Sequence, residues 1–152
     1  IPAALGAKLA APDRPVVALV GDGAFGMSMN ELLTSVREKL PITVVLFKNN
    51  TWAAELLNAQ LWFGNRNLGT DLKPFDVKAA VNAFGCDHIL VQEEEKLDEA
   101  IKSAFKSQEM GTTTVVEVEL SHEFGLPFRE DQMKAPVFYL ERYKELNAID
   151  DI

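Results

Sequence analysis

A doubly wound α/β fold built on a parallel sheet is what this sequence predicts, on two observations. Short β-branched runs alternate with helix-length segments along the 152 residues, and alternation of that kind sets helices on both faces of a sheet through right-handed crossovers. The runs are also nearly continuous in apolar character, as strands covered on both faces are.

The elements follow in order. The opening stretch IPAALGAKLAAPDR reads as a helix already under way, and the first residue is Ile1 rather than Met. The chain is therefore expected to be part of something longer. PVVALV (15–20), ITVVLF (42–47), HILV (88–91) and TTVVEVEL (113–120) read as strands, bounded by polar and turn-forming residues. Residues 28–39, 52–61, 76–84 and 94–106 read as helices, which gives the order αβαβααβαβ. Residues 121–152 lose this rhythm and carry Pro127 and Pro136, so they are expected to form an extended arm and a closing helix of the same domain, which spans 1–152.

Composition narrows the function classes. A net charge of −8 and a pI near 4.8 argue against nucleic acid as a partner, because phosphate backbones attract clustered Lys and Arg. No apolar run reaches the ~18 residues of a membrane span. Cys86 is the single cysteine, and no charged start followed by an apolar stretch opens the chain, so a reducing cytoplasm is expected. Cys86 follows Gly85 at a helix end and reads as a small buried residue. His88, at the start of an apolar strand, reads as structural.

The chemistry gathers in two loops. In open parallel sheets ligands bind beyond the carboxyl ends of the strands, and both GDGAFG (21–26) and KNNTW (48–52) fall there. Gly21 and Gly23 permit positive φ and let backbone N–H groups approach an anion, with the start of the next helix facing the same point. Asp22 would repel a phosphate placed there, a conflict that a divalent cation removes. Mg²⁺ takes about six oxygens and is commonly held by one or two protein groups together with substrate phosphates. The bland alternative is an Asp that only caps the following helix. A noncatalytic nucleotide-binding module is the other class left open. It expects an acid after the second strand, where this chain has Lys48 and Asn49.

The motif from Gly21-Asp22-Gly23 to Lys48-Asn49-Asn50-Thr51-Trp52 resembles that of the thiamine diphosphate-dependent enzymes, in their Rossmann-like diphosphate-binding domain. The resemblance implies thiamine diphosphate and Mg²⁺ as cofactors, with Asp22, Asn49 and the Thr51 carbonyl as metal ligands. In that family an aromatic residue follows three positions after the ligand Asn, so Trp52 selects Asn49 over Asn50 and leaves Lys48 where relatives often carry an Asn. Gly21, Gly23, Ala24, Phe25, Trp52 and Ala53 are implied as cofactor neighbours, although Phe25, Met27 and Trp52 are also candidates for packing alone.

The similarity extends over essentially the whole chain. Trp52-Ala53-Ala54-Glu55 and the tail ELSHEFGLPFREDQMKAPVFYLERYKE resemble the sulfoacetaldehyde acetyltransferase branch, with acetolactate synthases and other 2-oxoacid decarboxylases as the alternative. The branch implies conversion of sulfoacetaldehyde and phosphate to acetyl phosphate and sulfite. It also implies an activating glutamate on the pyrimidine-binding domain of a partner subunit, in a homodimer or homotetramer, so that this chain by itself would be inactive. Glu55 occupies a position that carries an active-site carboxylate in some relatives, and reads equally as an exposed helix residue. Arg129 and Lys134 suit a tetrahedral oxyanion or plain surface charge. His122, beside Glu123, has no assigned role.

Overall fold

The computed structural model describes residues 1–121, apart from the side chains of residues 61 and 62, and the chain divides into two compact units. The first comprises Ile1–Thr51 and Leu72–Leu120. It is built on a four-stranded sheet in the order β1-β2-β4-β3, every neighbouring pair being parallel. The strands are β1 (Val17–Gly21), β2 (Thr43–Lys48), β3 (Asp87–Val91) and β4 (Thr114–Glu119). Each lies within a residue or two of its predicted run. The helices are α1 (Pro2–Ala10), α2 (Asp22–Ser28), α3 (Glu31–Arg37), α5 (Val77–Ala83) and α6 (Leu97–Glu109), with α4 (Ala53–Trp62) in the second unit.

The doubly wound arrangement is present. Ala18, Val44, Leu46 and Val115 of one sheet face pack with Leu5, Phe25, Leu32, Val77 and Val81 from α1, α2, α3 and α5. On the other face Val45, Val91, Val116 and Val118 pack against Ala100 and Ala104 of α6. From β1 to β3 the chain moves across the sheet in one direction, and from β3 it steps back to β4 through α6. Direction and face change together, which keeps one crossover hand throughout.

Two expectations are corrected. A helix starts at Asp22 rather than near Ser28, and the segment is two short helices. Gly23 and Gly26 are poor helix formers, and they hide the first helix from a propensity reading. The break falls at Met29 and Asn30, whose carbonyls accept from the N–H groups of Leu32 (3.0 Å) and Leu33 (3.1 Å), three residues on. Among the described residues, β1 is not covered on both faces. α6 packs on β2, β3 and β4, and among the described residues nothing comparable covers the outer side of β1, where Leu19 is 69% exposed.

α5 is closed at both ends by local chemistry. The Asp76 carboxylate accepts from the Ala79 N–H at 2.8 Å, satisfying a donor the helix leaves free. At the far end Gly85 takes φ +83°, and the N–H groups of Gly85 and Cys86 donate to the carbonyls of Asn82 (3.0 Å) and Val81 (3.2 Å). That pattern is the Schellman stop, and it carries Cys86 into the core, 4% exposed. Burial, followed by the neighbouring Asp87 charge, pushes the thiol up to about 11. Since the thiolate is the nucleophile, iodoacetamide at pH 8 should alkylate Cys86 on the order of a hundredfold more slowly in the native protein than in urea. Equal rates, read by intact-protein mass, would contradict the buried placement.

The second unit contains Trp52–Asp71. Trp52 precedes α4, and its N–H donates to the Thr70 carbonyl at 2.7 Å. Beyond the helix Gly64, Asn65 and Gly69 take positive φ, and the Asn65 N–H reaches back to Ala59 at 2.9 Å.

Candidate functional site

β1 and β2 are neighbours in register, with Gly21 beside Phe47, so the turns that follow them emerge side by side from the carboxyl edge of the sheet. Asp22 joins the two turns. Its Oδ1 accepts from the N–H of Gly23 at 2.9 Å, and its Oδ2 accepts from the N–H groups of Asn49 at 3.0 Å and Asn50 at 2.5 Å. A half-buried carboxylate thus organises both loops through charge-assisted bonds, which are stronger than neutral ones. Asn49 shapes its own turn, its Oδ1 accepting from the Thr51 N–H at 3.2 Å. Asn50 sits at φ +56°, and its carbonyl accepts from Leu72 N–H at 2.9 Å.

The glycines act differently from expectation. Gly21 is extended, at φ −82° and ψ 163°, and Gly23 is the second residue of α2, so neither requires a left-handed backbone. The immediate start of the helix removes the looser turn in which positive φ would have been needed. The space beside Gly21 is open, since a Cβ built there meets no atom within 4 Å. Ala24 is exposed and Gly23 buried. Phe25 is 0% exposed and packs in the core beneath the turn. Met27 is 70% exposed and is not a packing residue among the described ones.

The donors suit a hard cation. The ligands implied by the resemblance, one carboxylate, one side-chain amide oxygen and one main-chain carbonyl, would make an all-oxygen set, the kind that Mg²⁺ takes. Asp22 Oδ1 and Asn49 Oδ1 each accept one of the hydrogen bonds above and so retain a lone pair. Among the described residues no group of three or more His, Cys, Asp or Glu gathers as a metal cluster. Thr51, the third predicted ligand, is 4% exposed at the end of this turn.

The remaining predicted residues divide between the second unit and the tail. Trp52 is half-buried ahead of α4, Ala53 is the first residue of that helix, and Glu55 is exposed in its first turn. Arg129, Lys134, His122 and Glu123 lie outside the described residues. His88 is structural as expected, and it exposes a cluster that the sequence reading missed. The Glu117 carboxylate pairs with Lys48 Nζ at 2.7 Å and with His88 Nε2 at 2.6 Å. The signal was a single acid at an inward position of the apolar run TVVEVE.

A parallel α/β sheet with two loops tied together at its carboxyl edge places the chain in the class of open α/β domains, which bind ligands at that edge. It belongs to the thiamine pyrophosphate enzymes, by their C-terminal TPP-binding domain, whose family model matches residues 1–118. It is 47% identical over 139 residues to a probable sulfoacetaldehyde acetyltransferase of Rhizobium meliloti (strain 1021), covering 90% of this chain and 23% of that protein. It is 39% identical over 146 residues to the sulfoacetaldehyde acetyltransferase of Alcaligenes xylosoxydans xylosoxydans, covering 95% and 24%. Among solved structures it resembles the thiamine diphosphate-dependent 4-hydroxybenzoylformate decarboxylase of Rhodococcus jostii, with a TM-score of 0.68 and 28% identity over 80% of this chain and 22% of that one. The chain therefore spans about a quarter of the length of the curated relatives it matches. Among the described residues no helix is long and apolar enough to cross a membrane.

Proposed function

We propose that the full-length protein converts sulfoacetaldehyde and phosphate to acetyl phosphate and sulfite, using thiamine diphosphate and Mg²⁺, and that this chain holds the diphosphate end of the cofactor. One observation carries the reading: the aspartate that ties the two strand-end turns stands in a chain 47% identical to a probable enzyme of that activity. Asp22, Asn49 and the Thr51 carbonyl would hold the metal, and the exposed backbone at Gly21 and Ala24, with Trp52 and Ala53, would border the cofactor. Bound thiamine diphosphate supplies a nucleophilic thiazolium carbon and an electron sink. The chain's own part is to fix the metal end rigidly, so that the reactive end is placed without further ordering.

Glu55 is the carboxylate offered for proton handling, and Arg129 the guanidinium fork offered to phosphate. A pyrimidine-binding domain from a partner subunit would complete the site, in a homodimer or homotetramer working in the cytoplasm. The test measures sulfite and acetyl phosphate together, with and without phosphate, and with pyruvate as a competing substrate. Sulfite release that depends on phosphate is expected, and Arg129→Lys should raise the KM for phosphate while cofactor affinity holds. Acetolactate from pyruvate, with no sulfite from sulfoacetaldehyde, would move the assignment to an acetolactate synthase.

A further inference from the structure

The cluster Lys48–Glu117–His88 has no part in the chemistry described so far. Glu117 stands on β4, the strand between β2 and β3, level with Leu46 and Leu90. Lys48 lies two residues beyond Leu46 and His88 two before Leu90, so one carboxylate reaches diagonally to both neighbouring strands. All three side chains are largely out of water, at 13% exposure for Lys48, 6% for Glu117 and 5% for His88. They line a cavity of about 390 Å³ together with Phe75, Val77 and Lys78. A buried carboxylate left without partners costs several kcal/mol; here each oxygen has one.

Lys48 is the last residue of β2. The next residue, Asn49, donates its N–H to Asp22. The chain is thus held at two successive residues, by Glu117 through the Lys48 side chain and by Asp22 through the Asn49 backbone. The Lys48 carbonyl is held as well, accepting from Leu120 N–H at 2.9 Å. We propose that Glu117 is a positioning residue which, by clamping Lys48, sets where the 49–51 turn begins and so presents Asn49 and the Thr51 carbonyl to the metal. The proposal rests on the cofactor reading above. Glu117 acts only through Lys48, and His88 occupies its second oxygen and keeps it from turning away.

The experiment uses the full-length protein and two readouts, the Mg²⁺-dependent affinity for thiamine diphosphate by calorimetric titration and the thermal midpoint. Lys48→Met and Glu117→Gln each should weaken binding by roughly 10–100-fold, the range found when outer partners of metal ligands are removed, and each should lower the midpoint. Lys48→Arg keeps the ion pair and should bind close to the parent. The double variant Lys48→Met/Glu117→Gln decides between positioning and mere stability, because it leaves neither buried charge unpaired. Its midpoint should recover while its binding stays weak. Recovery of binding together with the midpoint, or parent-like binding in the single variants, would overturn the clamp. A parent protein that binds no thiamine diphosphate in Mg²⁺ would overturn the cofactor reading itself, and the clamp with it.

Discussion

Asp22→Ala in the full-length protein is expected to abolish retention of thiamine diphosphate through purification, and to weaken its Mg²⁺-dependent binding by more than the roughly 100-fold that loss of an outer partner costs. Two losses combine. The variant removes the carboxylate proposed as metal ligand, and it strips the N–H groups of Gly23, Asn49 and Asn50 of their acceptor. Hydrogen bonds to a charged group are each worth about 1.5–3 kcal/mol, discounted here because Asp22 is only half-buried. The second turn then loses the side-chain tie that joins it to the first. Asn49→Ala should be the more damaging of the two Asn variants, because the Asn50 side chain is assigned no ligand role. Calorimetric titration checks both points: parent-like affinity in Asp22→Ala would remove the site, and equal losses at Asn49 and Asn50 would shift its register.

Phe25→Ala should cost about 3–5 kcal/mol of domain stability, the range for emptying a buried aromatic position. The ring sits at 0% exposure in the core shared by Ala18, Leu32, Val44 and Leu46. It lies about one turn along α2 from Asp22, so it anchors the helix that carries the carboxylate. Differential scanning calorimetry should show the transition of this domain moving down, with cofactor affinity falling as α2 loosens. A cost below about 0.5 kcal/mol, the level of an ordinary surface change, would mean that α2 is not anchored by this residue.

Much of this was legible in the sequence because parallel strands buried between helices must be apolar along their length. PVVALV, ITVVLF and TTVVEVEL each stand out as apolar, β-branched runs, and so the carboxyl ends of β1 and β2 are located by the sequence to within a residue. The importance of Asp22 was legible for a chemical reason, an acid placed where an anion would otherwise sit. Helix α2 was not legible, since two glycines in seven residues outweigh its apolar positions in any propensity sum. The exposure of β1 among the described residues was hidden as well. Val17 and Leu19 look like core in one dimension, and only the strand order shows that α6 stops short of them. Lys48 read as a tolerable departure from the usual Asn. Its partner Glu117 is 69 residues away, and pairing at that separation is a property of the register, not of local pattern.

Gly21 has a thermodynamic consequence of its own. Its backbone angles lie in the region open to every L-residue, and the space beside it is empty, so alanine would fit without strain. Glycine nonetheless leaves the unfolded chain more freedom to lose on folding, a penalty of about 0.4–1 kcal/mol relative to alanine at such a position. The protein forgoes that stability at the residue immediately before Asp22. If the proposed diphosphate does lie against this backbone, the missing methyl group is entropy surrendered in advance for closeness of approach.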